Sequence, residues 1–353
     1  MAMNQEKNSN KRFIHIVPEG KVIGLASMKE ALSALDKDGY VWFDFLDPDR
    51  EDLSPLIQPL NLHHLAIEDC LDEDQVPKID DFSTNTFILF NSFDYIDKTF
   101  VINEINFFLG KNFLVSVNHC QPGMKNFPVQ LDNAVARSME DVRKGPDFLL
   151  HVILDYIVDE KFKAIEAMQE ELDDAEEVIL KSPASFKPES LLRLRKSLLM
   201  LRKSLFHERE IMVRICRRDS SFVTEKVIYH FRDIYDHLAK FFEAIEIYRE
   251  MITSLMEMYL TMINNRMTQV ANRTNQVVRR LTLINTIFMP LTLLAGIGGM
   301  SEWSMMTGPG HWRIAYPIFL ILMVLIGVIN YFVLKCLEAK DRRVADAELE
   351  KEK

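Results

Sequence analysis

The spacing of apolar and polar positions divides the chain into stretches of different character. From residue 12 to about 150, short β-branched and aromatic runs alternate with segments of helical spacing. Phe13–Val17, Tyr40–Leu46, Thr86–Phe93, Phe100–Phe108 and Phe113–Val117 read as strands, and Met28–Leu35 and His63–Leu71 as helices. From Asp147 the helical period takes over. One helix is predicted to run to Lys181, where Ser182, Pro183 and Pro188 break it, and a second from about Glu189 to Arg218. The first ends in Glu170, Glu171, Asp173, Asp174, Glu176 and Glu177, while the second has a basic face of Arg193, Arg195, Lys196, Arg202 and Lys203. An antiparallel hairpin would set these charges side by side, although solvated helix faces carry the same pattern. A third helical pattern starts near Glu225 and meets no proline before Pro290. At ~1.5 Å per residue, a helix from there to Met300 would be roughly 110 Å long. That exceeds a globular domain and predicts a stalk running into a bilayer.

Two segments have the composition of membrane helices. Leu281–Met300 and Ile314–Leu334 contain no charged residue, and each matches the ~20 residues needed to cross a hydrocarbon core of ~30 Å. Arg279 and Arg280 precede the first, and Lys335, Lys340, Arg342 and Arg343 follow the second. The short connection holds only Glu302, His311 and Arg313 as ionisable groups. The positive-inside bias then predicts both chain ends in the cytoplasm and the loop outside. The expected organisation is a disordered start (1–11), a cytoplasmic α/β domain with a helical hairpin (12–224), a stalk helix (225–280) and a first membrane helix (281–300). An external loop (301–313), a second membrane helix (314–334) and a cytoplasmic tail (335–353) complete it.

The two membrane segments differ in kind. The second is almost uniformly apolar. Alternating steps of three and four, leading into the first, pick out Asn275, Val278, Thr282, Asn285, Met289, Thr292, Gly296 and Gly299, while the intervening Leu281, Leu283, Ile284, Ile287, Phe288, Leu291, Leu293 and Leu294 are apolar. Such a stripe suits close helix packing through small and polar groups, and it suits equally a pore lined by several copies. Two helices cannot enclose a pore, so the second alternative requires a symmetric oligomer. The stripe continues backward through Ala271, Thr268, Asn264 and Thr261 to Glu257. Within it, Asn265-Arg266-Met267-Thr268-Gln269-Val270 recurs seven residues later as Asn272-Arg273-Thr274-Asn275-Gln276-Val277. A heptad repeat lengthens a helix while nearly preserving its facing side.

Composition narrows the function classes. A formal net charge of −10 disfavours nucleic-acid binding. Cys70, Cys120, Cys216 and Cys336 form no CxxC pair and read as reduced thiols. The polar start, Met1 to Lys11, lacks the apolar core of a secretory signal. There is no GxxxxGK[ST] phosphate loop for an ATP motor, and no nucleophile–base or zinc-ligand pattern that would mark an enzyme. His63-His64 reads as a structural pair, and Met300, Met305 and Met306 as packing among 18 methionines.

Thr286-Ile287-Phe288-Met289-Pro290-Leu291-Thr292 followed by Ala295-Gly296-Ile297-Gly298-Gly299-Met300 resembles the first transmembrane helix of the CorA magnesium transporter superfamily. Leu65-Ala66-Ile67-Glu68-Asp69 with Gln75-Val76-Pro77-Lys78 resembles its soluble-domain signature. Phe231-Arg232-Asp233-Ile234-Tyr235-Asp236-His237 resembles its stalk motif, and Tyr316-Pro317 the opening of its second membrane helix. The resemblance implies a homopentamer with an α/β/α cytoplasmic funnel, the first membrane helix of each subunit lining a central pore in the cell inner membrane. The family carries Gly-Met-Asn at the outer pore mouth, whereas this chain reads Gly299-Met300-Ser301. Serine is shorter than asparagine and its hydroxyl both donates and accepts. A serine ring should be wider and less demanding of the hydrated ion, and Glu302 beside it would concentrate cations as a carboxylate ring.

The resemblance further implies an inner polar ring at Asn275, apolar constrictions at Leu281 and Met289, and polar positions at Asn285 and Thr292. It implies an acidic ring at Glu257 if the heptad repeat is an insertion. It also implies gating by metal bound between cytoplasmic domains, with Asp233 as one partner and its counterpart near Asp94 or Asp97. The expected activity is passive uptake of Mg²⁺ (also Co²⁺ or Ni²⁺), with Mg²⁺ both transported and regulatory. The zinc-transporting ZntB branch also departs from Gly-Met-Asn, so Zn²⁺ transport with proton coupling is one rival reading, and a non-conducting membrane-anchored sensor or scaffold is another.

Overall fold

The computed structural model describes residues 10–18, 22–72, 75–119, 127–299, 308 and 310–351. By internal contacts the chain forms two compact units, Met1–Leu260 and Thr261–Lys353.

The first unit is built on a seven-stranded mixed sheet in the order β2-β1-β3-β7-β6-β5-β4. Its strands are β1 (Lys11–Ile16), β2 (Val22–Leu25), β3 (Tyr40–Leu46), β4 (Lys78–Asp81), β5 (Asn85–Ile96), β6 (Thr99–Gly110) and β7 (Phe113–Asn118). Only the central pair, β3 and β7, runs parallel. Of the expected disordered start, Asn10 forms a bend and Lys11 opens β1, and the rest lies outside the described residues. β5 and β6 form a long hairpin closed by Asp97 and Lys98, both at positive φ (49° and 62°). Two left-handed residues make the tight turn that matches strand twist, and an aspartate tolerates that conformation better than most side chains.

Short helices cover one face of the sheet: α1 (Met28–Ala34), α2 (Arg50–Ile57) and α3 (His64–Leu71). They bury Ala31, Leu53, Leu56, Ala66, Ile67 and Cys70 against Phe43, Phe45, Phe87, Phe108, Val115 and Val117. Their starts are set locally. Ser27 caps α1, and Asp49 and Asp52 form a reciprocal capping box on α2. His63 Nδ1 accepts from the Leu65 amide while its ring stacks on Phe82 at 4.8 Å, which gives the His63-His64 pair a structural use. After α4 (Phe127–Arg137) and α5 (Met139–Val142), the helix α6 (Pro146–Lys181) packs on β5, β6, β7 and β3 from the other face. The unit is therefore an α/β/α sandwich. α7 (Glu189–Cys216) runs back along α6 and reaches β4 and β5.

Two opposite charges of this unit are fully buried together. Lys161 of α6 and Glu208 of α7 pair at 2.5 Å with no side-chain exposure. The ammonium lies over Phe90 and Phe93, 4.1 and 4.8 Å from the ring centroids. Glu208 Oε1 also accepts from the Asn91 amide and the Ser204 hydroxyl. This arrangement locks both helices to β5. Burial, offset in part by Glu208, brings the Lys161 ammonium down to about 8.

The longest helix, α8 (Ile228–Gly298), is one uninterrupted element of 71 residues. The predicted start near Glu225 falls slightly early. Thr224 is held instead by Asp147, whose carboxylate accepts from both its amide and its hydroxyl, and the helix begins after that tether. In the second unit, α8 is followed by α9 (Trp312–Lys351), which is helical well past the predicted end at Leu334. Among the described residues, α8 and the Arg313–Cys336 stretch of α9 are long and apolar enough to cross a membrane.

Lys161→Met should leave the Glu208 carboxylate buried without its counter-charge and cost about 3–5 kcal/mol. The double variant Lys161→Met/Glu208→Gln should recover most of that loss, because glutamine still accepts the Asn91 and Ser204 hydrogen bonds. Thermal unfolding of the full chain and both variants checks this, and equal destabilisation of the two would argue against the pair.

Candidate functional site: a polar helix face and an acidic helix cluster

The stripe residues of α8 occupy one face. Thr282, Asn285, Met289, Thr292 and Gly296 are all exposed, Met289 at 77%. The positions withdrawn from solvent are Leu283, Ile287, Pro290, Leu291, Leu294 and Gly298. At about 100° per residue, the mean directions of these two sets differ by about 180°. The withdrawn face meets α9. A Cβ on Gly298 would come to 2.7 Å from the Phe319 ring, and one on Gly327 to 3.6 Å from Leu291 Cδ1. On α9, Ala315, Phe319, Met323, Ile326, Gly327, Asn330 and Leu334 form the corresponding row. Mostly apolar and small residues, with Asn330 among them, thus make the helix pair, which leaves the polar stripe outside it.

The hydroxyls on that stripe are oriented. Thr282 and Thr292 donate to the Val278 and Phe288 carbonyls, at 2.9 and 2.8 Å. Their protons are used within the helix, so the free lone pairs face outward as acceptors. With the amides of Asn275 and Asn285, both exposed, the face offers oxygen ligands to a cation or its water shell. Leu281 and Met289 interrupt it with exposed apolar groups. Asn285, Met289, Thr292 and Gly296 also border an open groove of about 1080 Å³. Further up the helix Glu257 is exposed. Of the predicted pore mouth, Gly299 is exposed just past the end of α8, while Met300, Ser301 and Glu302 lie outside the described residues.

In the first unit, α6 and α8 bring together several titratable groups. Burial, then the neighbouring carboxylates of Asp159 and Asp233, raises Asp155 above its ordinary range. Asp233 is largely exposed, with His237 Nε2 at 3.7 Å from its Oδ2. The rings of His151 and His230 lie 4.9 Å apart, and burial together with the neighbouring His230 lowers His151 from 6.5 to about 4. Asp94 and Asp97 sit on the β5–β6 hairpin, where Asp94 Oδ1 accepts from the Tyr95 amide and Asp97 serves the turn. Among the described residues no group of three or more His, Cys, Asp and Glu is placed to hold a metal ion. One chain alone therefore does not assemble Asp233, Asp94 and Asp97 into a closed set of ligands. Asp155 and Asp159 were absent from the sequence-based candidates. The only available signal was their spacing on the face of α6 that also carries His151.

Residues 37–336 match the family model described as CorA-like Mg2+ transporter protein. The chain belongs to this family. It is 31% identical over 299 residues to the putative metal ion transporter YfjQ of Bacillus subtilis, covering 84% of this chain and 89% of that protein. It is 28% identical over 316 residues to the cobalt/magnesium transport protein CorA of Thermotoga maritima, covering 89% and 87%. The complete structure of the CorA magnesium transporter from Methanocaldococcus jannaschii superposes with a TM-score of 0.68 at 21% identity, over 92% of this chain and 97% of that one. The cytoplasmic domain of ZntB from Vibrio parahaemolyticus shares the fold of the soluble part, with a TM-score of 0.56 at 11% identity over 72% and 99% of the two chains. The CorA-like fold thus consists here of a soluble α/β unit, a long helix and two apolar helices. The family is one of transporters, not of enzymes.

The depressed His151 makes acid sensitivity predictable. Between pH 6.5 and about 4 the unfolded chain binds the proton that native His151 refuses. Its contribution to stability is complete above 6.5 and is lost as pH falls towards 4. His151→Asn should therefore show a shallower fall in thermal midpoint than the parent across that window, and parallel curves would remove His151 from the acid response.

Proposed function

We propose that this chain is one subunit of a homopentameric channel that passes divalent cations, Mg²⁺ foremost, across the inner membrane into the cytoplasm. The observation that carries this reading is the placement of the polar stripe on the face of α8 opposite α9. A row of threonine, asparagine and glycine turned away from the chain's own second helix has to meet other copies of itself or a water-filled path. Five-fold repetition of the outward acceptors would give successive oxygen rings at Asn275, Asn285 and Thr292. Mg²⁺ releases its inner waters reluctantly, and such rings would act on the hydrated ion through hydrogen bonds. Leu281 and Met289 would form apolar constrictions that close by excluding water.

Selectivity is assigned to Gly299, Met300, Ser301 and Glu302, with Ser301 accepting from ion-bound water and Glu302 concentrating cations. Membrane potential suffices as the driving force, since a divalent ion gains about 4.6 kcal/mol on crossing ~100 mV, inside negative. Both termini are placed in the cytoplasm. Regulation is assigned to Mg²⁺ at Asp233. The crowded carboxylates of Asp155, Asp159 and Asp233 supply the attracting charge, and Asp94 or Asp97 of an adjacent subunit would complete the donors.

Flux into liposomes of Mg²⁺ and of Zn²⁺, each with and without a pH gradient, tests the reading. Mg²⁺ flux that ignores the pH gradient is expected. Zn²⁺ flux that follows protons would replace Mg²⁺ as the substrate, and flux of neither ion would leave a scaffold. In the same assay Asp233→Ala should weaken inhibition by Mg²⁺ on the cytoplasmic side, and unchanged inhibition would take Asp233 out of the gate.

A further inference from the structure

The hairpin of β5 and β6 outgrows its sheet. β4 pairs with β5 only at residues 86–89, and β7 pairs with β6 only at residues 105–109. Beyond those registers, residues 90–96 and 99–104 pair with each other and, among the described residues, with no third strand. A two-stranded ribbon is marginally stable by itself, so side chains must fix where this arm lies. It carries Asp94 and Asp97, the two residues set out above as counterparts of Asp233.

Side chains tie the arm to the helices at three levels. Near its base, Asn91 donates to Ser204 and Glu208 of α7. Further out, the Lys161 ammonium of α6 lies over Phe90 and Phe93. At the tip the anchor is Glu171 of α6, only 8% exposed. Its Oε2 accepts from the Tyr95 hydroxyl, and its Oε1 accepts from Arg193 Nη2 of α7 at 2.5 Å. The Lys98 ammonium stands 4.0 Å from that same Oε1. Burial, then the bond to Glu171, raises the Tyr95 hydroxyl well above its ordinary range, so it remains a donor.

The anchor acts next to both aspartates. Tyr95 directly follows Asp94, and Lys98 directly follows Asp97. One nearly buried carboxylate therefore holds the chain neighbour of each, while Asp97, Lys98 and Thr99 are otherwise exposed to solvent. A carboxylate at this depth needs a counter-charge. Arg193 supplies it, so the acidic end of α6 and the basic face of α7 meet at this point, and the arm is fastened where they do.

We propose that Glu171 is a positioning residue for the cytoplasmic gate: it latches the β5–β6 arm to α6 and α7, and so sets where Asp94 and Asp97 stand. This rests on the assignment of those aspartates as partners of Asp233. Glu171 itself touches no ion. Loss of the latch lowers the fraction of arms in the metal-binding pose, and the apparent affinity for the regulatory ion falls by the same factor.

The test is Mg²⁺ inhibition of the reconstituted full chain, read as the uninhibited flux and as the Mg²⁺ concentration that halves it. Glu171→Gln keeps an acceptor for Tyr95 but loses the charge that faces Arg193 and Lys98. It should raise the half-inhibiting concentration about fivefold or more and leave the uninhibited flux unchanged. Tyr95→Phe should act in the same direction, and Lys98→Arg should not. Amide hydrogen exchange at residues 94–98 should quicken in Glu171→Gln and Tyr95→Phe alike. A loss of uninhibited flux in step with the loss of gating would overturn the proposal, as would tip exchange as slow as in the parent. The chain carrying Asp94→Asn and Asp97→Asn separates this inference from the assignment beneath it. If that chain is inhibited like the parent, the arm holds no gate ligand, and the assignment fails together with the regulatory role of Glu171. A shift there with none in Glu171→Gln would remove the positioning role alone.

Discussion

Hydrocarbon offers no water to polar side chains, so a polar stripe on a membrane helix must turn towards protein or towards a wet path. In the second unit that constraint decides how α8 is used. Leu283, Ile287, Leu291, Leu294 and Gly298 are spent on α9, where Gly298 and Gly327 allow the helices to approach closely. Thr282, Asn285, Met289, Thr292 and Gly296 remain on the opposite face. Within one chain, close packing and the polar stripe are thus separated by half a turn. An oligomer is the natural completion of a structure in which no described residue of the same chain covers the polar face.

The first unit obeys a related constraint with the opposite outcome. Several of its buried polar groups are paired: Lys161 on Glu208, Glu208 on Asn91 and Ser204, and, separately, Asp147 on Thr224. The Lys161–Glu208, Glu208–Asn91 and Asp147–Thr224 links each cross from one piece of the fold to another, fixing α6 and α7 on the sheet and the segment that leads into α8. A charge buried in this manner contributes less through net attraction than through the cost of leaving either partner alone. On the same sandwich, burial and the neighbouring carboxylates of Asp159 and Asp233 raise Asp155 above its ordinary range.

How much of this was legible in the sequence follows from what each feature depends on. Long periodic segments were readable, and the predicted strands Tyr40–Leu46 and Phe113–Val117 match β3 and β7 to within a residue. β2 and β4 were not seen. Val22–Leu25 is a four-residue edge strand containing glycine, and Lys78–Asp81 is mostly charged, so neither has the alternation that marks a half-buried strand. α2 was hidden by Pro55 in its interior, although the Asp49–Asp52 capping box was there to be read. Asp97 drew notice as a candidate metal partner, and its positive φ now gives it a second explanation in the turn. Lys161 and Glu208 resemble solvated charges in a helical pattern, since nothing local says that α6 and α7 will close over them. The stripe on α8 was evident from spacing alone, but its use was not, because packing and pore lining demand the same residues until the position of α9 is known.

Accessibility of the stripe to a water-soluble reagent tests the pore assignment most directly. In a background with the four native cysteines replaced by serine, Thr292→Cys and Leu294→Cys place thiols on opposite faces of α8. Under Mg²⁺ flux into liposomes, a cationic methanethiosulfonate should block the Thr292→Cys channel and leave the Leu294→Cys channel conducting. Block of Leu294→Cys with Thr292→Cys untouched would contradict the assignment of the polar face to the ion path.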